Sequence, residues 1–230
     1  MSTTTAPEHL RTAAVTELGV GARVSVHPHT DAFVDVITGA LEDVRAAGLT
    51  EGLQLQTDEV STYVGALDAP AEQRIAAYVS GLVAATSRRS GGGHVVAHVL
   101  LSRGCPGEAT CDLTLGSGVG LPTAAAVDLA PTGVDAVAQW SLYPLMDAAT
   151  TTADGVSGEH MAHIEAAIAA AQRRGTASAA AHYATVLRGD VADVLATAVD
   201  AWAAVGAVVP HVVTHLTVST GSPTPAGGPR

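Results

Sequence analysis

The chain has 230 residues, 22 acidic against 11 basic side chains, and a formal net charge of -11. Every basic residue is arginine, which excludes a lysine Schiff base and a P-loop lysine, and the acidic balance argues against a protein that tracks nucleic-acid phosphates. Hydrophobic residues make up 47% and aromatics only 3%, so a core of alanine, valine and leucine is expected and each aromatic ring counts for more in a site.

Residues 1–19 have neither a basic start nor an apolar h-region and read as a flexible tail. Residues 22–27 alternate as a strand, and Phe33, Ile37, Leu41 and Val44 recur at helical spacing until Arg45 and Gly48 close the helix. Residues 53–57 and 59–66 read as two short strands. Asp68, Pro70 and Glu72 then open a helix whose stripe is Ile75, Val79 and Leu82 and whose stop is Gly91–Gly93. A strand over 94–101 follows. Residues 103–136, rich in Gly, Pro and Ala, read as a linker with some local structure.

The order then repeats. A strand is expected at 138–143, an inserted loop at 149–158, and a helix through Ile164 and Ile168 that ends at Arg173, Arg174 and Gly175. A strand pair spans about 177–188, Asp190 caps a helix carrying Val191, Leu195, Ala198 and Trp202, and a last strand covers 209–218. Residues 220–230 read as a second flexible tail. Internal matches support this division: HVVAHVLLS at 94–102 against HVVTHLTVS at 211–219, and ARVSVHPHTDA at 22–32 against AQWSLYPLMDA at 138–148. The expected fold is α+β, a tandem repeat of two ferredoxin-like βαββαβ units with antiparallel sheets, at 20–102 and 137–219.

In such a unit the end of strand one and the starts of strands three and four meet at one sheet edge. That edge gathers Ser25, Val26, His27 and Thr62 in the first copy, and Ser141, Leu142, Tyr143, Tyr183 and Thr185 in the second. A helix-free sheet face accounts for the polar alternation Arg23, Ser25, His27 and Gln139, Ser141, Tyr143. His94, His98, His211 and His215 lie on common strand faces and would approach one another if the copies packed face to face. No carboxylate or cysteine completes a metal site around them, so satisfied interface histidines are the expectation. Cys105, in Gly104-Cys105-Pro106-Gly107, reads as a turn residue, and two cysteines are too few for a disulfide framework.

The stretches ARVSVHPHTDAF, QTDEVST, HVVAHVLLSRGCPGEATCD, WSLYPLMD, AHYATVLRGDVADV and HVVTHLTVSTGSP resemble the YkoF family of thiamine/hydroxymethylpyrimidine-binding proteins over about residues 20–223. The resemblance implies ACT-like units, a homodimer, and one pocket per repeat for the aminopyrimidine part of thiamine. The contacts it implies come from Ser25-Val26-His27 and Thr62, and from Ser141-Leu142-Tyr143 and Thr185. It implies a non-catalytic role beside a vitamin transporter, with no cofactor and no catalytic or metal-ligating residue. Tyr143 or Tyr183 could offer a ring face to the thiazolium cation. His27 stands where the family has a tyrosine, so the first pocket is expected to bind more weakly or to prefer the uncharged pyrimidine. A cytoplasmic protein without nucleic-acid partners or membrane insertion is the accompanying expectation. The alternatives are an ACT-like dimerisation or regulatory module without a thiamine site, and a metal-dependent enzyme built on the four histidines.

Overall fold

The computed structural model describes residues 11–105, 119–145 and 159–224. The described chain opens with β1 (Arg11–Thr12) and the single-turn helix α1 (Val15–Leu18), where the sequence predicts a tail. The reason is packing: Ala13 and Leu18 are buried, and the N–H of Gly104 donates to the Leu18 carbonyl.

The strand β2 (Gly21–Pro28) follows, then α2 (Phe33–Ala46), β3 (Leu53–Thr57), β4 (Thr62–Ala66), α3 (Ala71–Arg89) and β5 (Val95–Arg103). Residues 59–61, predicted as the start of a strand, belong with Asp58 to the turn between β3 and β4. Asp58 Oδ1 accepts from the N–H groups of Val60 and Ser61, which gives the backbone a local alternative to the ladder. Arg89 clamps Asp43 with two hydrogen bonds of 2.6 and 2.7 Å, tying α3 to α2. Any side chain at Gly39 would collide with that guanidinium.

The predicted linker contains β6 (Val119–Gly120), which pairs in parallel with β1. Its extended remainder is fastened to helices. Val127 is buried and its N–H donates to Asp200 Oδ1, and the N–H groups of Thr132 and Gly133 donate to Asp190. The chain continues with β7 (Asp135–Leu145), α4 (Glu159–Arg174), β8 (Ala177–Ala181), β9 (Ala184–Asp190), α5 (Val191–Gly206) and β10 (His211–Thr220). Asp190 is the N-cap of α5, accepting from the Ala192 N–H. The predicted insertion at 149–158 lies outside the described residues.

The main sheet has eight strands in the order β3-β4-β2-β5-β10-β7-β9-β8, and every pairing in it is antiparallel. The sequence reading allowed each half its own sheet. Instead β5 and β10 pair along nine residues and fuse the halves into one. Each half has its first and third strands inside and its fourth at the junction, an arrangement consistent with ferredoxin-like units.

Strand alternation sets the two faces. Val24, Val26, Val99, Leu216 and Trp140 are buried on one, beneath α2, α3, α4 and α5, with α3 against α5 across the junction. Arg23, Ser25, His27, His98, His215, Ser141 and Tyr143 alternate onto the other face, which among the described residues no helix covers. No helix of the described residues is long and apolar enough to cross a membrane.

Candidate functional site

At the end of β2 the sheet, α2 and the β3–β4 turn enclose a cavity of about 450 Å³. Ser25, Val26, His27 and Thr62 all line it. Register explains Thr62: it stands directly opposite Val24 on one side and Thr57 on the other, so its side chain shares the helix-covered face. The hydroxyls of Thr62 and Thr57 are 3.0 Å apart, which satisfies a residue only 8% exposed. Ser25 and His27 present backbone to the cavity while their side chains lie on the uncovered face, with His27 Nε2 3.0 Å from Ser25 Oγ.

The turn that closes this cavity is held firmly. Arg23 Nη1 donates to Asp58 Oδ2 at 2.6 Å and to Ser61 Oγ at 3.0 Å. The N–H groups of Ser61 and Val60, together with the Arg23 guanidinium, bring the Asp58 carboxyl down to about 2. Burial, and after it the neighbouring His98 and His29, hold the His27 imidazole below its ordinary range. The environment therefore disfavours the imidazolium.

A second cavity, about 400 Å³, lies at the end of β7. Ser141, Leu142, Tyr143, Tyr183 and Thr185 line it. Its position repeats the first: Thr185 stands opposite Trp140 as Thr62 stands opposite Val24, and Ile164 and Ile168 of α4 occupy the places of Ile37 and Leu41 of α2. Trp140 Nε1 donates to Thr214 Oγ1 at 2.8 Å, and that hydroxyl donates to the Ser141 carbonyl at 2.9 Å. Ser141 Oγ in turn donates to the Tyr183 carbonyl at 3.1 Å, fixing the β8–β9 turn. Tyr183 has φ 66°, a left-handed conformation uncommon for a tyrosine, and its side chain is fully exposed.

The structure thus brings the nine expected residues together as two groups of four and five. Phe33, Ile37, Leu41, Asp58, Glu59 and Val60 also border the first cavity, and Ile164, Ile168 and Ala180 the second. Sequence reasoning had assigned the helical ones to a core stripe. The recurrence of Ile37 and Ile164 at matching places was the available signal.

The four histidines do not converge. His94 Nε2 is 3.0 Å from Ser219 Oγ, with its ring 4.4 Å from that of His29. His98 stands between His27 and His215, at ring distances of 5.5 and 6.3 Å. Among the described residues no group of three or more His, Cys, Asp or Glu is placed to hold a metal ion. The face-to-face packing that would have gathered them is replaced by the edge pairing of β5 with β10. Cys105, read as a turn residue, is disulfide-bonded, which removes it as a nucleophile.

The geometry of the second half coincides with a family match: residues 135–225 fit the model of the YKOF-related family. Over 204 residues the chain is 29% identical to YkoF of Bacillus subtilis (strain 168), covering 88% of this chain and 90% of that protein. The chain is similar to the YkoF family. The family match runs from the first residue of β7 past the end of β10, so the five expected residues that line the second cavity fall inside it. The name of the Bacillus subtilis relative describes binding of HMP/thiamine.

Proposed function

We propose that this chain binds thiamine, or its hydroxymethylpyrimidine part, without chemical conversion, at one site in each of two ferredoxin-like, ACT-like repeats. The observation that carries the reading is the pair of cavities, about 450 and 400 Å³, at matching places in the two halves. That size suits a small heterocycle. An aminopyrimidine edge presents a donor beside a ring-nitrogen acceptor. The strand backbone at Val26 or Leu142 and the hydroxyl of Thr62 or Thr185 are the groups assigned to meet it. Leaving such an edge unpaired on burial costs about 1–3 kcal/mol, so these contacts set specificity.

Calorimetric titration with thiamine and with hydroxymethylpyrimidine tests the reading. Heat with two ligands bound per chain supports it, and neither heat nor thermal shift with either ligand overturns it. A Thr185→Ala chain that keeps full binding at the second cavity overturns the residue assignment alone.

The relative's name supports a binding protein rather than an enzyme; a role in vitamin uptake or salvage beside a transporter is the further part of this proposal. A homodimer formed through the uncovered sheet face fits the exposure of Leu100, Tyr143 and Leu145 there. Sedimentation at several concentrations reads it directly. The cytoplasmic expectation and the disulfide-bonded Cys105 point to different compartments. Thiol titration of the protein isolated from its own cells without reductant decides between them.

A further inference from the structure

The two cavities share their strand-borne groups and differ in what surrounds them. The first is bordered by Phe33, the single phenylalanine of the chain, which is 52% exposed at the start of α2. It is also bordered by Asp58 and Glu59 of the β3–β4 turn. Asp58 is engaged with Arg23, whereas Glu59 forms no ion pair among the described residues. The second cavity has no charged side chain among the described residues that line it, and carries Tyr143 and Tyr183 instead.

We infer that the first cavity favours a ligand that carries a ring cation over its uncharged isostere and that the second does not discriminate by charge, with Glu59 as the residue that sets the difference. This rests on both cavities being ring-binding sites and deepens that reading by assigning the first a preferred ligand charge. It also runs against the expectation drawn from His27, since the carboxylate of Glu59 at the cavity edge attracts a cation. A ring cation finds an aromatic face in either cavity, Phe33 in the first and Tyr143 or Tyr183 in the second, but only the first adds an unpaired carboxylate at its edge. An uncharged ring gains nothing from that carboxylate and is served equally well by the tyrosines and apolar wall of the second cavity.

The probes are the N-benzylpyridinium cation and its neutral isostere 4-benzylpyridine, the latter kept unprotonated at mildly alkaline pH. The methyl groups of Thr62 and Thr185, observed by NMR in the full chain, report the two cavities separately. The cation is expected to shift Thr62 at a concentration about three- to tenfold below that needed for Thr185, an advantage that added salt reduces. Glu59→Gln removes most of that advantage and leaves the Thr185 titration unchanged, and Phe33→Leu weakens the cation more than the isostere at Thr62. Both substitutions are at exposed or half-exposed positions, and thermal melts of the variants exclude unfolding as the cause. Equal midpoints for the cation at the two threonines, or a preference unmoved by Glu59→Gln and by salt, overturn the inference. Failure of thiamine and hydroxymethylpyrimidine to bind, with the cation still discriminating, overturns the vitamin reading and leaves the charge assignment standing. Vitamin binding without any effect of Glu59→Gln does the reverse.

Discussion

Val99 and Leu216 stand directly opposite one another in the β5–β10 ladder, and each is the sixth residue of its matching segment, HVVAHVLLS or HVVTHLTVS. The ladder therefore pairs the two segments about a local two-fold passing between these residues. His98 faces Thr217 and His215 faces Leu100, one step to either side. Because both central side chains are buried, the helices of the two halves fall on the same side of the sheet, and the cavities open at related places.

Truncation at that junction is expected to weaken the whole chain rather than one half. Leu216 is completely buried, and Leu216→Ala should cost about 2–5 kcal/mol through lost transfer energy and a residual cavity. Urea unfolding with separate probes in the two halves checks this. Two separated transitions, with the first half unaffected, would contradict a shared core.

The Arg103–Glu72 pair gives a second expectation. Arg103 is fully buried and donates from Nη1 to Glu72 Oε1 at 3.2 Å, while its Nε and Nη2 have no hydrogen-bond partner among the described residues. Burial pushes its pKa down, and Glu72 only partly restores it. Glu72→Gln leaves a buried charge without its counterion and should destabilise by about 3–5 kcal/mol. The double change Arg103→Met with Glu72→Gln should recover most of that loss in denaturant melts. A double variant as unstable as the single one would show that the charge was not the cause.

Stability should also depend on pH through the central histidines. Burial first, then the adjacent His98, lowers the pKa of both His27 and His215 from 6.5. A depressed base is deprotonated in the folded state, so the unfolded chain takes up protons first as the solution is acidified. The stabilising contribution is complete above about pH 7 and declines as pH falls through 6.5 toward the depressed folded values. His27→Gln and His215→Gln should each flatten the dependence of unfolding free energy on pH between about 7 and 5. Unchanged slopes in both variants would show that these rings do not carry it.

The turn at Tyr183 separates strain from recognition. A left-handed tyrosine costs roughly 1 kcal/mol that glycine does not. Tyr183→Gly should therefore hold or raise the melting temperature while weakening ligand binding at the second cavity, and binding at the first should be unaffected. A variant that melts lower and binds as before would reverse both assignments.

Periodicity in the sequence determined the elements, and the matching segments determined their order twice over. Apolar alternation in β2, β5, β7 and β10, and the helical spacing of Phe33, Ile37, Leu41 and Val44, are local signals that survive without tertiary context. The same reading put Ser25, Thr62, Ser141 and Thr185 at one edge, since strand direction alone brings those positions together. It could not show that Ile37 and Ile164 would wall a cavity, because an apolar helical stripe looks the same over a filled core or an open pocket. Nor could it show that Asp58 would convert a predicted strand start into a turn held by Arg23, a contact spanning 35 residues.

The composition that opened the sequence analysis, acidic and poor in aromatic rings, remains a set of exclusions until the fold distributes it. The sequence by itself determined the eight strands of the main sheet, the four long helices and their order, but not β1, α1 or β6. Only the tertiary structure decided that β5 and β10 join into one sheet, since backbone hydrogen bonds between strands carry no mark in the side-chain pattern. It also decided which rings and charges meet. Phe33 and Glu59 border one cavity and Tyr143 and Tyr183 the other, because loop geometry and long-range pairing, not sequence spacing, set those neighbours.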